Sequence, residues 1–423
     1  MSRPRAVVLV TGSELVRGDR RDANGPFLAG ELVRLGLEPA RITIVGDGPE
    51  ELRSTLAEGL EADLLVISGG LGPTHDDRTV ELLAAAAGRE LTVDAQLEAE
   101  IESVSRAIAE RLRRPYADFA AGVRKQASLP AGGASLGLAG TAPGVVLTAN
   151  GAVAVALPGP PAELQRLWRS AVASQPVRTV LARARPPGRR VLRFFGASES
   201  AVAQALADAG GEGGGVEATI CARDFEIHVD LFVEPGADER ADDLAAALRM
   251  PLQRYLFAED ERPIEEIVLA LCRARGLTLT TAESCTGGMI AERLTSVPGA
   301  SDVFTGSVVT YSDSLKHHLL GIPNELLERH GAVSAEVAAA MASGARMQLQ
   351  SDAAVAVTGI AGPSGGTPVK PVGLIFVHGA TPDVERGREL NLPGRRDEIR
   401  RRSTVVALHL LRTLLTQNRD EGV

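Results

Sequence analysis

Three side chains with nucleophilic groups stand next to one another at the start of a glycine turn. Ser284, Cys285 and Thr286 follow a short β-branched run, and Gly287 and Gly288 come directly after them. In an α/β sheet such turns lie where a strand ends and a helix begins, and ligands gather there. Glycine also lets a ligand approach the backbone. The stretch predicts either a catalytic corner or a helix start capped by Ser284 or Thr286.

A second stretch offers a base for such a nucleophile. Tyr311 and Lys316 lie within "TYSDSLK", and burial lowers the pKa of a lysine toward neutrality. Amide hydrolysis by protein side chains needs a nucleophile, a base and donors for the oxyanion, and a Ser–Lys pair supplies the first two. Taken singly, Lys316 also fits a solvated helix position, Tyr311 a core position, and Cys285 a small buried side chain.

Two acidic, glycine-rich stretches in the first third of the chain suit a metal–phosphate group. Glu14, Asp22 and Asn24 follow the first strand pattern, and Asp76 and Asp77 lie within "SGGLGPTHDDRTVE" after the third. Carboxylates beside glycine loops fit a hard divalent cation that bridges phosphates, with loop amides on the phosphate oxygens. The alternative is that Asp22, Asp76 and Asp77 cap helices.

Length and composition restrict the class of protein. A chain of 423 residues with 44% hydrophobic content predicts two or three globular domains. The formal net charge of −9 argues against direct nucleic-acid binding. The three cysteines show no metal-ligand spacing, which favours a reducing cytoplasm. No apolar run reaches the roughly 18 residues of a membrane span, and the N-terminal apolar run is too short for a signal peptide.

The elements that position these residues form three regions. Residues 1–172 alternate strand and helix patterns, which predicts an α/β domain with a parallel sheet between two helical layers. Residues 185–259 predict a small α+β module, in which the run 210–215 is a loop. Residues 262–418 predict a second α/β domain with a mixed or antiparallel sheet and a closing helix over residues 396–416.

The last region resembles the C-terminal domain of the CinA family, the nicotinamide-nucleotide amidases. The resemblance rests on "AESCTGG", "VFTGSVVTYSDSLKHHLLGI" and "AVTGIAGPSGG", which occur in the family's order within residues 262–418. It implies hydrolysis of the carboxamide of nicotinamide mononucleotide to nicotinate mononucleotide and ammonia, with no cofactor.

The same resemblance suggests roles for individual residues. Ser284 is the nucleophile, Lys316 its general base, and Tyr311 assists proton transfer or orients Lys316. Thr358 and nearby glycine amides hold the tetrahedral intermediate or the ribose phosphate. Arg396 and Arg400 match the fork geometry that binds a 5′-phosphate, although they also fit a solvated basic helix face. The remaining substrate-binding candidates are Thr286, Gly287, Gly288, Gly359 and Gly362.

The first region resembles the molybdopterin-binding-like domain of the same family. Its patterns G-x-E-L-x-x-G…D-x-N, G-G-L-G-P-T-x-D-D and G-T-A-P-G are all present, but "LGLA" precedes the last one, where the family often has Asn. The resemblance implies a possible ADP-ribose pyrophosphatase activity, with Mg²⁺ or Mn²⁺ at Asp76 and Asp77. The nucleotide-binding candidates are Glu14, Asp22, Asn24, Gly69, Gly70, Gly72 and Thr74.

Together these patterns indicate a full-length member of this family. The expected activity is nicotinamide mononucleotide amidohydrolase in pyridine-nucleotide salvage, carried out by a cytoplasmic homodimer. Two alternatives from other classes stay open at this point. One is a pterin-nucleotide or molybdopterin-binding protein, and the other is a competence-related factor that acts through protein contacts.

Overall fold

The computed structural model describes residues 3–417, which fall into two compact units that divide after Gly188. The described residues form four sheets, of six, four, five and two strands, and the four-stranded sheet of the small module belongs to the second unit together with the five-stranded sheet. No helix within residues 3–417 combines the length and apolar character needed to cross a membrane.

The first unit is an α/β sandwich. Its strands are β1 (Arg5–Thr11), β2 (Glu38–Val45), β3 (Leu64–Ser68), β4 (Leu91–Val93), β5 (Ser128–Pro130), β6 (Ala134–Leu138), β7 (Pro143–Ala149) and β8 (Ala152–Leu157). Its helices are α1 (Ser13–Val16), α2 (Asn24–Arg34), α3 (Pro49–Gly59), α4 (Thr79–Ala86), α5 (Ala95–Leu112), α6 (Ala117–Gln126), α7 (Pro161–Ala173) and α8 (Gln175–Leu181).

Its main sheet has the order β2-β1-β3-β8-β7-β6. The first four strands are parallel, and β7 and β6 add antiparallel pairings. Successive residues of β1 belong to different cores, with Val7 and Leu9 on one face and Ala6, Val8 and Val10 on the other. This alternation follows from the two-residue period of a strand, and it confirms the predicted three-layer architecture.

The second unit contains the small module and the C-terminal sheet. Its strands are β9 (Gly188–Phe195), β10 (Val216–Arg223), β11 (Glu226–Val233), β12 (Leu256–Ala258), β13 (Leu279–Glu283), β14 (Phe304–Val309), β15 (Ala353–Gly359), β16 (Leu374–Ala380) and β17 (Glu385–Asn391). Its helices are α9 (Glu199–Asp208), α10 (Asp238–Leu252), α11 (Ile264–Arg275), α12 (Met289–Thr295), α13 (Asp313–Leu320), α14 (Asn324–His330), α15 (Ala335–Gln348) and α16 (Arg396–Thr416).

The module is a four-stranded sheet of order β10-β11-β9-β12, and the predicted loop over residues 210–215 joins α9 to β10. The C-terminal sheet has the order β14-β13-β15-β16-β17, parallel over its first three strands and antiparallel over the last three. Of the two predicted alternatives, a mixed or an antiparallel sheet, the structure has the mixed one. Helix α16 covers one face, and its buried side chains join the core of β13, β15 and β16. Strand β17 is almost wholly exposed, which is why no apolar pattern revealed it.

Candidate active site

The Ser284 turn lies at the carboxyl end of the central parallel strands. Strand β13 is buried throughout and is paired on both sides, with β14 and with β15. Ser284 follows its last residue, and its amide donates to the Val357 carbonyl at 3.0 Å. The serine is 8% exposed. The nucleophile candidate is thus fixed at the sheet edge where parallel strands present ligand-binding loops.

The structure brings Lys316 to this serine across 32 residues of sequence. Helix α13 begins after its N-cap Ser312, and Lys316 points inward from its second turn. The Lys316 Nζ lies 3.3 Å from the Ser284 Oγ and 3.0 Å from the Thr310 carbonyl oxygen. The lysine is only 1% exposed. A solvated position for Lys316, the alternative considered above, is not what the fold produces.

Burial sets the protonation chemistry of this lysine. Removal of the amine from water lowers the pKa of Lys316, and the carboxylate of Asp313, 3.9 Å away, partly raises it again. A neutral amine next to a hydroxyl can accept its proton, so this pair has the arrangement of a base and a nucleophile.

The turn is stabilised by Glu283, a residue that no motif in the sequence singled out. Helix α12 begins at Met289, with Gly288 at the N-cap in a left-handed conformation (φ 96°). The fully buried Glu283 carboxylate accepts hydrogen bonds from the amides of Gly288, Ile290 and Ala291 at 2.9–3.1 Å. It, rather than Ser284 or Thr286, satisfies the helix start, which leaves the serine hydroxyl to Lys316.

The neighbours of Ser284 are poor nucleophiles. Cys285 is 5% exposed, and burial raises the pKa of its thiol to about 12. A thiol with that pKa carries almost no thiolate near neutral pH. The Thr286 hydroxyl is fully buried and has no hydrogen-bond partner among the described residues. Of the three adjacent side chains, only Ser284 contacts a base.

Tyr311 lies at the rim of the site. It is 61% exposed, and its hydroxyl accepts a hydrogen bond from Arg396 at 2.7 Å. The expectation that Tyr311 orients Lys316 gains no support from this geometry, because the Lys316 amine is held by Ser284 and Thr310. Nor is Tyr311 a core residue.

Both predicted arginines contact active-site loops. Arg396 donates to the Gly362 carbonyl at 2.7 Å as well as to Tyr311, and its side chain is exposed. Arg400, half-buried, donates to the carbonyls of Cys285 and Thr286 at 3.0 and 2.7 Å. Neither is a freely solvated surface arginine. Arg396 remains open to an anion, whereas two donors of Arg400 are taken by the Ser284 turn.

Thr358 plays a different part from the one expected. It is buried at the end of β15, and its hydroxyl donates to the Ala332 carbonyl at 2.7 Å. That bond removes its donor from an oxyanion role. Gly359 ends the same strand against Ile375 and Leu374, whose atoms would clash with a Cβ. This end of the site is therefore a packed junction of β15 and β16.

In the first unit, the parallel strands also bring separate loops to one edge. The Asn24 amide donates to the Ser68 hydroxyl and to the Gly159 carbonyl, at 2.9 and 2.7 Å, which ties three strand-end loops together. The Asp22 carboxylate accepts from the Asn24 and Gly25 amides at the start of α2. Helix capping, one of the two alternatives for Asp22, is thus observed. Glu14 lies exposed in α1.

Asp76 and Asp77 lie in the turn after Gly69 and Gly70, and neither caps α4. The Thr74 hydroxyl lies within hydrogen-bond distance of both carboxylates. Its hydrogen bond to Asp76 is the main cause of the lowered pKa of that carboxyl. Gly72 passes so close to Asp77 that a Cβ would lie 2.4 Å from its carboxylate. A cavity of about 100 Å³ adjoins this turn and is lined in part by Asp77, Glu81 and Lys125.

Residues 3–417 contain no cluster of three or more His, Cys, Asp or Glu side chains placed to hold a metal ion. Mg²⁺ typically binds one or two carboxylates together with substrate phosphates and water. Asp76 and Asp77 therefore fit a cation that arrives with a diphosphate, and they do not by themselves form a closed metal site.

Comparisons with known protein families find a match in each of the two units. Residues 261–415 match the model of the CinA C-terminal domain, and residues 7–177 match that of a probable molybdopterin binding domain. The chain is 44% identical to a CinA-like protein of Mycolicibacterium paratuberculosis, covering 97% of this chain and 98% of that one. It is 45% identical to a CinA-like protein of Mycolicibacterium gilvum, with 97% and 99% covered.

Among solved structures, a competence/damage inducible protein from Agrobacterium tumefaciens is 38% identical, with a TM-score of 0.36. The match covers 38% of this chain and 100% of that one. The full-length matches to the curated relatives, together with the two domain models, show that the chain belongs to the CinA family.

Proposed function

We propose that the C-terminal domain hydrolyses the carboxamide of nicotinamide mononucleotide to nicotinate mononucleotide and ammonia. The observation that carries this proposal is the buried pair of Lys316 and Ser284, with the amine 3.3 Å from the hydroxyl oxygen. Burial lowers the pKa of this amine, so it can act as the base for the adjacent serine. A serine nucleophile with an adjacent base is the arrangement that acyl transfer requires.

In the first half-reaction, the neutral Lys316 amine takes the proton from the Ser284 hydroxyl while the oxygen attacks the carboxamide carbon. The tetrahedral intermediate then collapses. Lys316 returns the proton to the departing amino group, the C–N bond breaks, and ammonia leaves behind an ester on Ser284.

In the second half-reaction, Lys316 takes a proton from water, and the resulting hydroxide attacks the ester. The C–O bond to Ser284 breaks, the serine oxygen recovers the proton from Lys316, and nicotinate mononucleotide is released. One water is consumed for each ammonia formed.

Arg396 is our candidate for the 5′-phosphate of the substrate. It is exposed at the rim, next to Tyr311 and the loop that contains Gly362. A guanidinium matches phosphate oxygens in geometry and charge. We assign Arg400 instead to holding the carbonyls of the nucleophile turn. Loss of Arg396 should then raise KM, and loss of Arg400 should lower kcat.

The deciding experiment is release of ammonia from nicotinamide mononucleotide in EDTA by the wild type, by Ser284→Ala and by the matched surface control Ser296→Ala. We expect release by the wild type and the control, and none above background by Ser284→Ala. Equal release by Ser284→Ala would overturn the nucleophile assignment.

Absence of release by folded wild type would remove the amidase proposal. A fluorescent pterin that copurifies with the protein would then favour a pterin-nucleotide-binding role. An inert protein that captures a recombination protein would favour the competence-related role.

A second activity, ADP-ribose pyrophosphatase, is our proposal for the first unit. It is favoured by a cavity that Gly70, Gly72, Asp77 and Lys125 line, next to the turn that also contains Asp76. A cation held by the two carboxylates would polarise the diphosphate. The rate of ADP-ribose hydrolysis with Mn²⁺ should fall at least tenfold in Asp77→Asn and stay unchanged in Ser284→Ala. A rate in Asp77→Asn equal to that of the wild type would remove this proposal.

A further inference from the structure

The small module contacts the same helix that holds the nucleophile turn. Arg400, on the first turns of α16, donates to the carbonyls of Cys285 and Thr286. Farther along this helix, His409 is 1% exposed and lies against the module. A helix is rigid over this length, so a contact at His409 constrains the place of Arg400.

The contact centres on Glu226, the first residue of β11. Its carboxylate accepts a hydrogen bond from His409 at 2.8 Å across 183 residues of sequence, and it lies 3.1 Å from His228. The His409 ring stacks on Phe195 at 3.7 Å and meets Phe257 edge-on. The other ring nitrogen of His409 has no partner among the described residues, so Glu226 is its one polar anchor there.

The turn that precedes Glu226 adds two further contacts. Asp224 lies 3.8 Å from Arg401, the residue after Arg400, and the Arg402 guanidinium lies 5.5 Å from the Phe225 ring centre. Both turn residues adopt positive φ, 47° and 71°. Non-glycine residues rarely adopt that conformation, and it persists where surrounding contacts enforce it. Beside these contacts the module and the C-terminal domain enclose a cavity of about 380 Å³.

We infer that Glu226 is a positioning residue for the Ser284 turn, acting through His409 and helix α16. The module then serves to hold Arg400 in register with the Cys285 and Thr286 carbonyls. Its catalytic consequence rests on the proposed amidase function, but its structural consequence at the turn does not.

Cys285 provides a readout that needs no substrate. It follows Ser284, its carbonyl accepts from Arg400, and its thiol is buried. Alkylation by iodoacetamide requires the turn to open, because only an accessible thiolate reacts. Cys272 is buried elsewhere in the core and reports general unfolding, whereas Cys221 is exposed and calibrates the reagent. Peptide mass mapping separates the three.

The variants are Glu226→Ala, the conservative Glu226→Gln, and Glu217→Ala as a matched control on the exposed face of β10. In Glu226→Ala we expect Cys285 alkylation to accelerate about tenfold, and kcat for ammonia release to fall about tenfold with KM within about twofold. Glu226→Gln still accepts from His409 and should restore both values. Glu217→Ala should match the wild type.

If Glu226→Ala has the same kcat and the same rate of Cys285 alkylation as the wild type, the inference is overturned. This holds even if the Tm of the variant is lower. Equal acceleration at Cys285 and Cys272 would also overturn it, since the effect would then be general. If Glu226→Ala does not fold, Phe225→Gly decides, because glycine tolerates the positive φ of the turn and the change removes the stacking contact with Arg402. Phe225→Gly should accelerate Cys285 alkylation about threefold, and an unchanged rate would contradict the inference. A wild type that releases no ammonia would remove the amidase proposal, and the alkylation rates would still decide this one.

Discussion

Lys316 and Asp313, three residues apart on α13, place an amine nitrogen and a carboxylate oxygen 3.9 Å apart. Burial lowers the pKa of Lys316, and Asp313 opposes that effect by favouring the charged form. The carboxylate is mostly exposed, so it tunes the base without cancelling the effect of burial. The balance decides at which pH the amine becomes neutral.

This relationship predicts the pH dependence of the reaction. Because neutral Lys316 is the base, kcat/KM should rise with pH through its lowered pKa. Asp313→Asn removes the charge that raises this pKa, so the rising limb should move to lower pH. The profile of kcat/KM against pH measures this shift of the rising limb. Asp397→Asn, on an exposed turn of α16, is the control. A limb that stays in place or moves to higher pH would contradict Lys316 as the base.

Replacement of Lys316 should separate activity from folding. Lys316→Met keeps most of the side-chain volume and removes a buried amine, so we expect the Tm to stay the same or to rise. Ammonia release should fall by at least about a thousandfold, because base and nucleophile act as a unit. Thermal unfolding and single-turnover kinetics measure the two effects. Substantial residual turnover in a folded variant would show that another group takes the proton.

Glu283 should be a stability determinant of the second unit. Glu283→Gln places an amide group where the carboxylate accepts three backbone amides, so at least one buried donor loses its partner. We expect a loss of about 3 kcal/mol in the free energy of unfolding. Urea titration measures it, with the exposed Glu292→Gln on α12 as the matched control. A loss below about 0.5 kcal/mol would mean that the helix start does not depend on this carboxylate.

His409 should make the second unit sensitive to acid. Burial lowers the pKa of His409 to about 4, and hydrogen bonds from His228 and His409 hold the pKa of Glu226 at about 2 against the effect of burial. Between about pH 6.5 and 4, His409 therefore binds a proton in the unfolded chain and stays neutral in the folded chain. Stability is fully present above this window and falls within it, by about 3 kcal/mol from His409.

Unfolding in urea at pH 7 and pH 4.5 measures this loss. His409→Gln keeps a donor to Glu226 and cannot titrate, so its stability should change less than that of the wild type over the same interval. An equal change in both proteins would assign the acid sensitivity to other groups.

The local elements were largely determined by the sequence. The apolar period of α16 predicted a helix over residues 396–416, and the structure has those bounds. The strand before Ser284 also followed from its β-branched run and the glycine turn that ends it. Local patterns decide such elements because apolar side chains must share one face, whereas β17, with Leu390 as its one large apolar residue, carried no such signal.

The partners of polar side chains were decided only by the tertiary structure. Glu283 caps α12, Arg400 holds the Ser284 turn, Tyr311 bonds Arg396 rather than Lys316, and Glu226 reaches His409 across 183 residues. A sequence shows which side chains can donate or accept. Which of them meet depends on strand order and helix packing, because a buried polar group takes whichever partner the packed core brings within hydrogen-bond distance.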